Sequence, residues 1–300
     1  MGLPFLPKET PLWHSGFADT AFQPFRLFSN PEFFSNPESP YEMHIHKILI
    51  PAIAIIVCIA CTTPKEPVEE FTKTNTEEVT DSMGHKLEGG MVYAKIAVDE
   101  PTGISDVCKK NFAMWLSTVL EIEKTSDKNA VHSLEKSFTQ SMSSRLQKDF
   151  SENKDDFQRN GVNELYSITE VRKISEDTKH ITFAVKQESY NGGVHGSHSY
   201  QGYTFDKTDF SLTDLLDKSK TKAYREAITS QLAEQMNMSQ EQLMDFLLIE
   251  DDCKKEGLVP LPANGAYLDG DTLVFQYQEY EIAPYSSGMP CARIPIGTEE

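Results

Sequence analysis

Two histidines, His195 and His198, sit in YNGGVHGSHSYQGY, the stretch from Tyr190 to Tyr203, and are the side chains whose type and spacing most suggest chemistry. A metal would need further ligands, yet no carboxylate or cysteine lies near them in sequence and the chain has no HExxH, so no metal is assigned. The competing reading is a turn in which His195 bonds to backbone. Four glycines, Gly192 and Gly193 among them, let this segment bend tightly and bring its amides close to a partner. Phosphate binding would need a strand running into a helix, whereas here strand runs into strand. Paired carboxylates have several candidates, Asp206, Glu279 and Glu281, with nothing to select among them, and no GxSxG is present. No catalytic residue and no cofactor is therefore assigned.

A second segment, YEIAPYSSGMP from Tyr280 to Pro290, is suited to binding. Pro284 biases its neighbour to extended geometry and ends a strand ladder, leaving Tyr285 on an exposed connection. Tyrosines on a rigid turn bury much area at low entropic cost, which makes Tyr280 and Tyr285 candidate anchors. A packed hairpin turn explains the same residues without a ligand.

The elements that must position these segments read as α+β. VYAKIAV, from Val92 to Val98, alternates as a strand. Helical spacing follows over about Ser105 to Ile122, then along the ladder Ala130, Leu134, Phe138, Met142, Leu146 and Phe150, with Asp127 as its expected cap. Strands are expected near Glu164 to Ile174, His180 to Tyr190 and His198 to Phe205, forming an antiparallel meander. Helix is expected at Leu212 to Leu216, at Lys222 to Met236, and at Gln240 to Ile249 behind a Ser239/Gln242 capping box. LVFQYQEYEIA from Leu273 reads as one strand, with CARIPI from Cys291 pairing beside it. Together they predict a mainly antiparallel sheet with helices packed on one face.

The address comes from KILIPAIAIIVCIAC, Lys47 to Cys61. Its apolar run from Ile48 to Ala60 is 13 residues, shorter than the ~20 that span a bilayer. It resembles a bacterial lipoprotein signal, with small Ala60 before an acceptor Cys61; Cys58 stands where such signals usually carry Leu. Acyl chains on Cys61 would anchor the chain without a spanning helix. Residues 1–42, which repeat FSNPE at Phe28 and Phe34, precede the alternative start Met43 and read as upstream sequence. Residues 43–60 are then the signal peptide, and 61–90, rich in Thr, Glu and Pro, a flexible tether before a domain over 91–300. Net charge is −18, and residues 61–300 hold 25 basic against 41 acidic groups. That excludes nucleic acid and favours cationic partners. Cys108, Cys253 and Cys291 lack metal spacing; one disulfide or three free thiols would both fit.

The YNGGVHGS turn, the YTFDKTDFSLTDLL segment and the LVFQYQEYEIAPYSSG strand and turn, followed by IPI, resemble the extracellular domain of the RsiV anti-sigma factor family, domain of unknown function 3298, also found in a peptidoglycan deacetylase. The resemblance implies a noncatalytic envelope module. In RsiV this domain binds lysozyme, and its contact region includes the turn equivalent to Pro284 and Tyr285. RsiV also carries a cytoplasmic sigma-binding segment and a spanning helix; this chain has a lipoprotein signal instead, so the anti-sigma role does not carry over. The resulting expectation is a lipid-anchored protein of the bacterial cell envelope, not an enzyme. It would grip a cationic protein such as lysozyme, or a peptidoglycan fragment, through Tyr190, Gly192, Gly193, His195, Tyr280, Pro284 and Tyr285. The alternatives are a cell-wall glycan hydrolase or deacetylase built on His195 and His198, and a purely structural envelope protein.

Overall fold

The structure, a computed structural model, describes residues 73–125 and 127–297. The chain divides into two units at Pro64, and every described residue belongs to the second. The upstream segment, the signal and Cys61 lie outside the described residues.

Two long strands open the fold. In β2, Gly90–Thr102, alternate residues Val92, Ala94, Ile96 and Val98 are buried. It pairs antiparallel along its whole length with β1, Asn75–Leu87. This corrects the expected tether over 61–90, because most of its second half is strand. Ladder hydrogen bonds use backbone, so a polar sequence can pair once β2 offers an edge. Only Val79, Met83 and Leu87 on one face of β1 look like strand residues, interrupted by Asp81 and His85.

Helix α1, Asp106–Val119, starts where the Ser105 hydroxyl accepts the Cys108 amide. Helix α2, Val131–Glu152, buries Leu134, Phe138, Leu146 and Phe150 as its spacing predicts. Asp127 is not its cap. Its carboxylate instead accepts the amide of Asn129, closing a local turn, and the helix begins four residues later without a side-chain cap. A short helix α3, Lys154–Arg159, returns the chain to the sheet.

Strands β3 (Glu164–Glu176), β4 (His180–Tyr190) and β5 (Ser197–Asp206) form the expected meander, giving the order β1-β2-β3-β4-β5. Among the described strands only β2 and β3 pair in parallel, since the helical crossover brings the chain back to the same end of the sheet. One sheet face carries Val98, Val171, Phe183 and Phe205 into a core with Phe112, Trp115 and Phe138.

The rest of the chain builds a second layer. Helices α4 (Thr221–Gln235) and α5 (Gln240–Phe246) pack with a three-stranded sheet of β6 (Tyr267–Asp269), β7 (Thr272–Gln276) and β8 (Cys291–Pro295), and the short helix α6 (Asp251–Glu256) is tied to α4 by the Arg225–Glu256 ion pair at 2.7 Å. The Ser239/Gln242 capping box forms on α5 as its sequence predicts. Two expectations fail here. Leu212 to Leu216 is not helical: Leu212 bridges to Phe205, and the Thr213 amide bonds to the Thr204 carbonyl, so the chain continues along the edge of β5. The strand from Leu273 stops at Gln276 instead of running through Ala283, and Tyr280 adopts a left-handed φ of 64°. The Gln278 amide is captured by the Glu281 carboxylate, which closes a turn in place of a ladder. Gly202 lies against the ring of Tyr267, where a Cβ would collide, and this close approach seats the second layer on the first sheet.

Candidate binding site

Seven residues separated by as many as 95 positions in sequence come together where the loop after β4 meets the turn after β7. Gly192 has φ 84°, and a side chain there would run into the Phe157 ring of α3; only glycine fits. A Cβ at Gly193 would meet only the His195 carbonyl, at 3.8 Å, and the Gly193 carbonyl accepts the Tyr190 hydroxyl at 2.9 Å. The loop thus folds back on the end of β4 and projects His195 toward the second layer.

His195 stacks on Tyr285, with ring centroids 3.8 Å apart and planes 20° from parallel. Its Nδ1 lies 2.7 Å from the Gly196 carbonyl and must donate there, so Nε2 accepts the Tyr280 hydroxyl at 3.1 Å. The Tyr285 hydroxyl donates to the same Gly196 carbonyl at 3.2 Å. Pro284 leads into a single 3₁₀ turn, Tyr285–Ser287, which holds the Tyr285 ring against the imidazole. Burial, with the Glu279 carboxylate beside it, pushes the Tyr285 phenol up, so the hydroxyl stays a donor. Tyr280 remains 55 % exposed. Tyr190 extends the surface onto the sheet, tilted against Tyr166, which stacks on Tyr93 at 5.6 Å.

His198 belongs to a different arrangement. It lies on β5, where its Nδ1 is 2.9 Å from the Glu279 carboxylate and its amide donates to the other carboxylate oxygen at 3.0 Å. One residue pair further on, the Gln278 side chain accepts the Tyr200 amide and donates to the Tyr200 carbonyl. Gln278 and Glu279 therefore act as a substitute strand along the open edge of β5. The two histidines do not share a partner, and both nitrogens of His195 are engaged. Cys108, Cys253 and Cys291 are free thiols.

Sequence reasoning brought the two tyrosine turns into one site but missed Gly196, Gln278 and the pairing of His198 with Glu279. A separation of 81 residues leaves no local signal for that pair; only the seating of the second layer creates it.

The model of a family described as a protein of unknown function (DUF3298) matches residues 213–297, which include Tyr280, Pro284 and Tyr285. The fold is similar to that of a DUF3298 family member from Bacteroides fragilis, at 15 % identity over 74 % of this chain and 92 % of that one, with a TM-score of 0.52. A DUF3298 family protein from Pseudomonas aeruginosa matches at 11 % identity over 75 % of this chain and 92 % of its own, with a TM-score of 0.46. No curated protein matches the chain.

Proposed function

We propose that this chain is a noncatalytic binding protein of the bacterial cell envelope, held to a membrane by acyl chains on Cys61. Its grip would come from the surface around His195, Tyr280 and Tyr285. The observation that carries this reading is the prebuilt ring stack: three aromatic side chains from two layers are locked by hydrogen bonds before any ligand arrives. Preorganised aromatics lose little entropy on binding, which suits a recognition surface. The ligand class rests on the likeness to the RsiV-type domain and on the acidic balance: a cationic protein such as lysozyme, or a peptidoglycan fragment. Among the described residues no helix is long and apolar enough to cross a membrane.

Calorimetry with lysozyme, muropeptides and glycan strands tests the reading. Lysozyme should bind, and Tyr285→Ala should weaken it by about 2 kcal/mol, as a central aromatic would. Silence with all three ligands would count against it, and a loss of only a few tenths of a kcal/mol would remove Tyr285 from the interface. Mass measurement of the native protein tests the anchor; an unacylated chain confined to the cytosol would overturn both address and ligand.

One observation favours a second reading. The 2.9 Å bond between His198 and Glu279 is the pairing that orients a general base, as a glycan hydrolase or deacetylase would need. The adjacent Ser199 hydroxyl does not complete it, because it donates to Gln187. Stoichiometric zinc in the purified protein would promote this alternative.

A further inference from the structure

A cavity of about 230 Å³ opens between the C-terminal turn of α1, helix α2 and the sheet, apart from the ring stack. Its volume is below the ~300 Å³ at which drug-sized pockets begin and would hold roughly seven or eight waters, so its natural occupant is a small molecule. Three observations set its chemistry.

The first is the floor. The sheet face beneath the helices is apolar where Val171, Phe183 and Val185 lie, but at this end it carries Ser167, Gln187 and Ser189, with Ser167 and Ser189 directly opposite in register. A polar patch under a helix layer departs from the pattern that burial alone would select. The second is the wall, where Phe138, Met142 and Leu146 of α2 give one side an apolar surface.

The third is charge. Arg145, Asp149, Glu121 and Glu188 line the same cavity; Glu188 pairs with Lys186 at 2.6 Å, and among the described residues the other three are in no ion pair. Arg145 and Asp149 are one helical turn apart, the spacing at which Lys148 and Glu152 of the same helix do pair, at 3.9 Å. Glu121 also holds a left-handed φ of 53°. It stands just past the end of α1, where the Ile122 amide bonds back to the Ser117 carbonyl, a position that normally belongs to glycine. A strained glutamate kept at a cavity mouth is an indication of use.

The geometry points to a binding site for a free α-amino acid with an apolar side chain: Arg145 takes the carboxylate, Asp149 and Glu121 take the ammonium, and the side chain lies against the wall of α2. A zwitterion satisfies both signs of charge at once, which a neutral sugar or a simple anion does not. The site is independent of the ring stack and of the ligand proposed for it.

Calorimetry on the full chain with L-leucine, N-acetyl-L-leucine and L-leucine amide is the test. Leucine should give saturable binding at millimolar concentration or below, and each blocked derivative should bind about tenfold more weakly, because each loses one charge-assisted contact. Arg145→Met should lose about tenfold for leucine and nothing further for the amide. Glu121→Gly should raise the melting temperature by relieving the left-handed strain while weakening leucine. No saturable binding of leucine, equal binding of leucine and its blocked derivatives, or wild-type affinity in both variants would each overturn the assignment.

Discussion

Glu135, on α2, is the residue whose chemistry is most at odds with its surroundings. Its side chain is fully buried, with His132 Nδ1 4.0 Å away, and among the described residues neither carboxylate oxygen has a hydrogen-bond partner. Burial, reinforced by the nearby Glu100 and Asp81 carboxylates, pushes its pKa from 4.5 to about 8. Between those two values the folded state holds a proton that the unfolded state releases. The contribution of this one group is therefore full below about pH 4.5 and falls as pH rises toward 8, by on the order of a few kcal/mol. Glu135→Gln should flatten that dependence, so that urea midpoints of wild type and variant diverge from pH 5 to pH 9 in favour of the variant. Parallel curves would show that Glu135 does not titrate in this range. Glu176 is the opposite case. Burial disfavours its charge, but hydrogen bonds from Lys173, Lys207 and Thr74 outweigh that and hold it at about 2. Its stabilising contribution is present above its unfolded pKa and is lost only as pH falls toward 2.

At the scale of elements, the edges of the five-stranded sheet are handled differently. Strand β5 is covered by side chains from the turn after β7 and by the return of the chain through Leu212 and Thr213. Gln278→Ala removes two bonds to the Tyr200 backbone and should cost about 1–2 kcal/mol. The decisive readout is hydrogen exchange: the Tyr200 amide should lose protection while amides of β3 keep theirs. If Tyr200 stays protected, Gln278 is not what covers that edge. Strand β1 forms the other edge and is tied down by side chains. Arg172 on β3 bridges to Glu78 of β1 and Asp99 of β2, and Thr139 of α2 donates to Asp81. Such partly exposed pairs contribute little one by one. The 13-residue ladder with β2 is what holds β1 in place.

At the scale of the whole molecule, that ladder decides where the folded body begins. A protein started at residue 91, where the amino-acid pattern first turns apolar, would bare the edge of β2 and lose the acidic strand that covers it. We expect it to aggregate and melt earlier than one started at residue 73, as light scattering and thermal unfolding would report; equal behaviour would make β1 dispensable. The excess of 41 acidic over 25 basic groups in residues 61–300 acts over longer range. If the ligand is a cationic protein, the association rate should fall steeply as salt rises from ~0.05 to ~0.5 M while dissociation changes little, because screening acts on encounter more than on the docked contacts. A salt-independent rate would mean that the charge serves solubility alone.

How much of this was legible without coordinates differs by element, for physical reasons. The periodicities of α1, α2, α4 and of β3 to β5 arise from residues that each bury one face, and that signal is written locally in the order of apolar side chains. The capping box of α5 is equally local. Together they establish an α+β chain with helices over a mainly antiparallel sheet. The polar strand β1, the early end of β7 and the extended path through Leu212 could not be read, because each is held by backbone bonds to a partner far away in sequence. The same holds for the site. Tyrosines, histidines and glycines in two turns mark where binding could occur, but the His195–Tyr285 stack, the His198–Glu279 bond and the mixed-charge cavity exist only once the second layer and the helices are seated on the sheet. Types of side chain belong to the sequence; their meeting depends on tertiary packing, which alone overcomes the entropy of bringing such distant segments together.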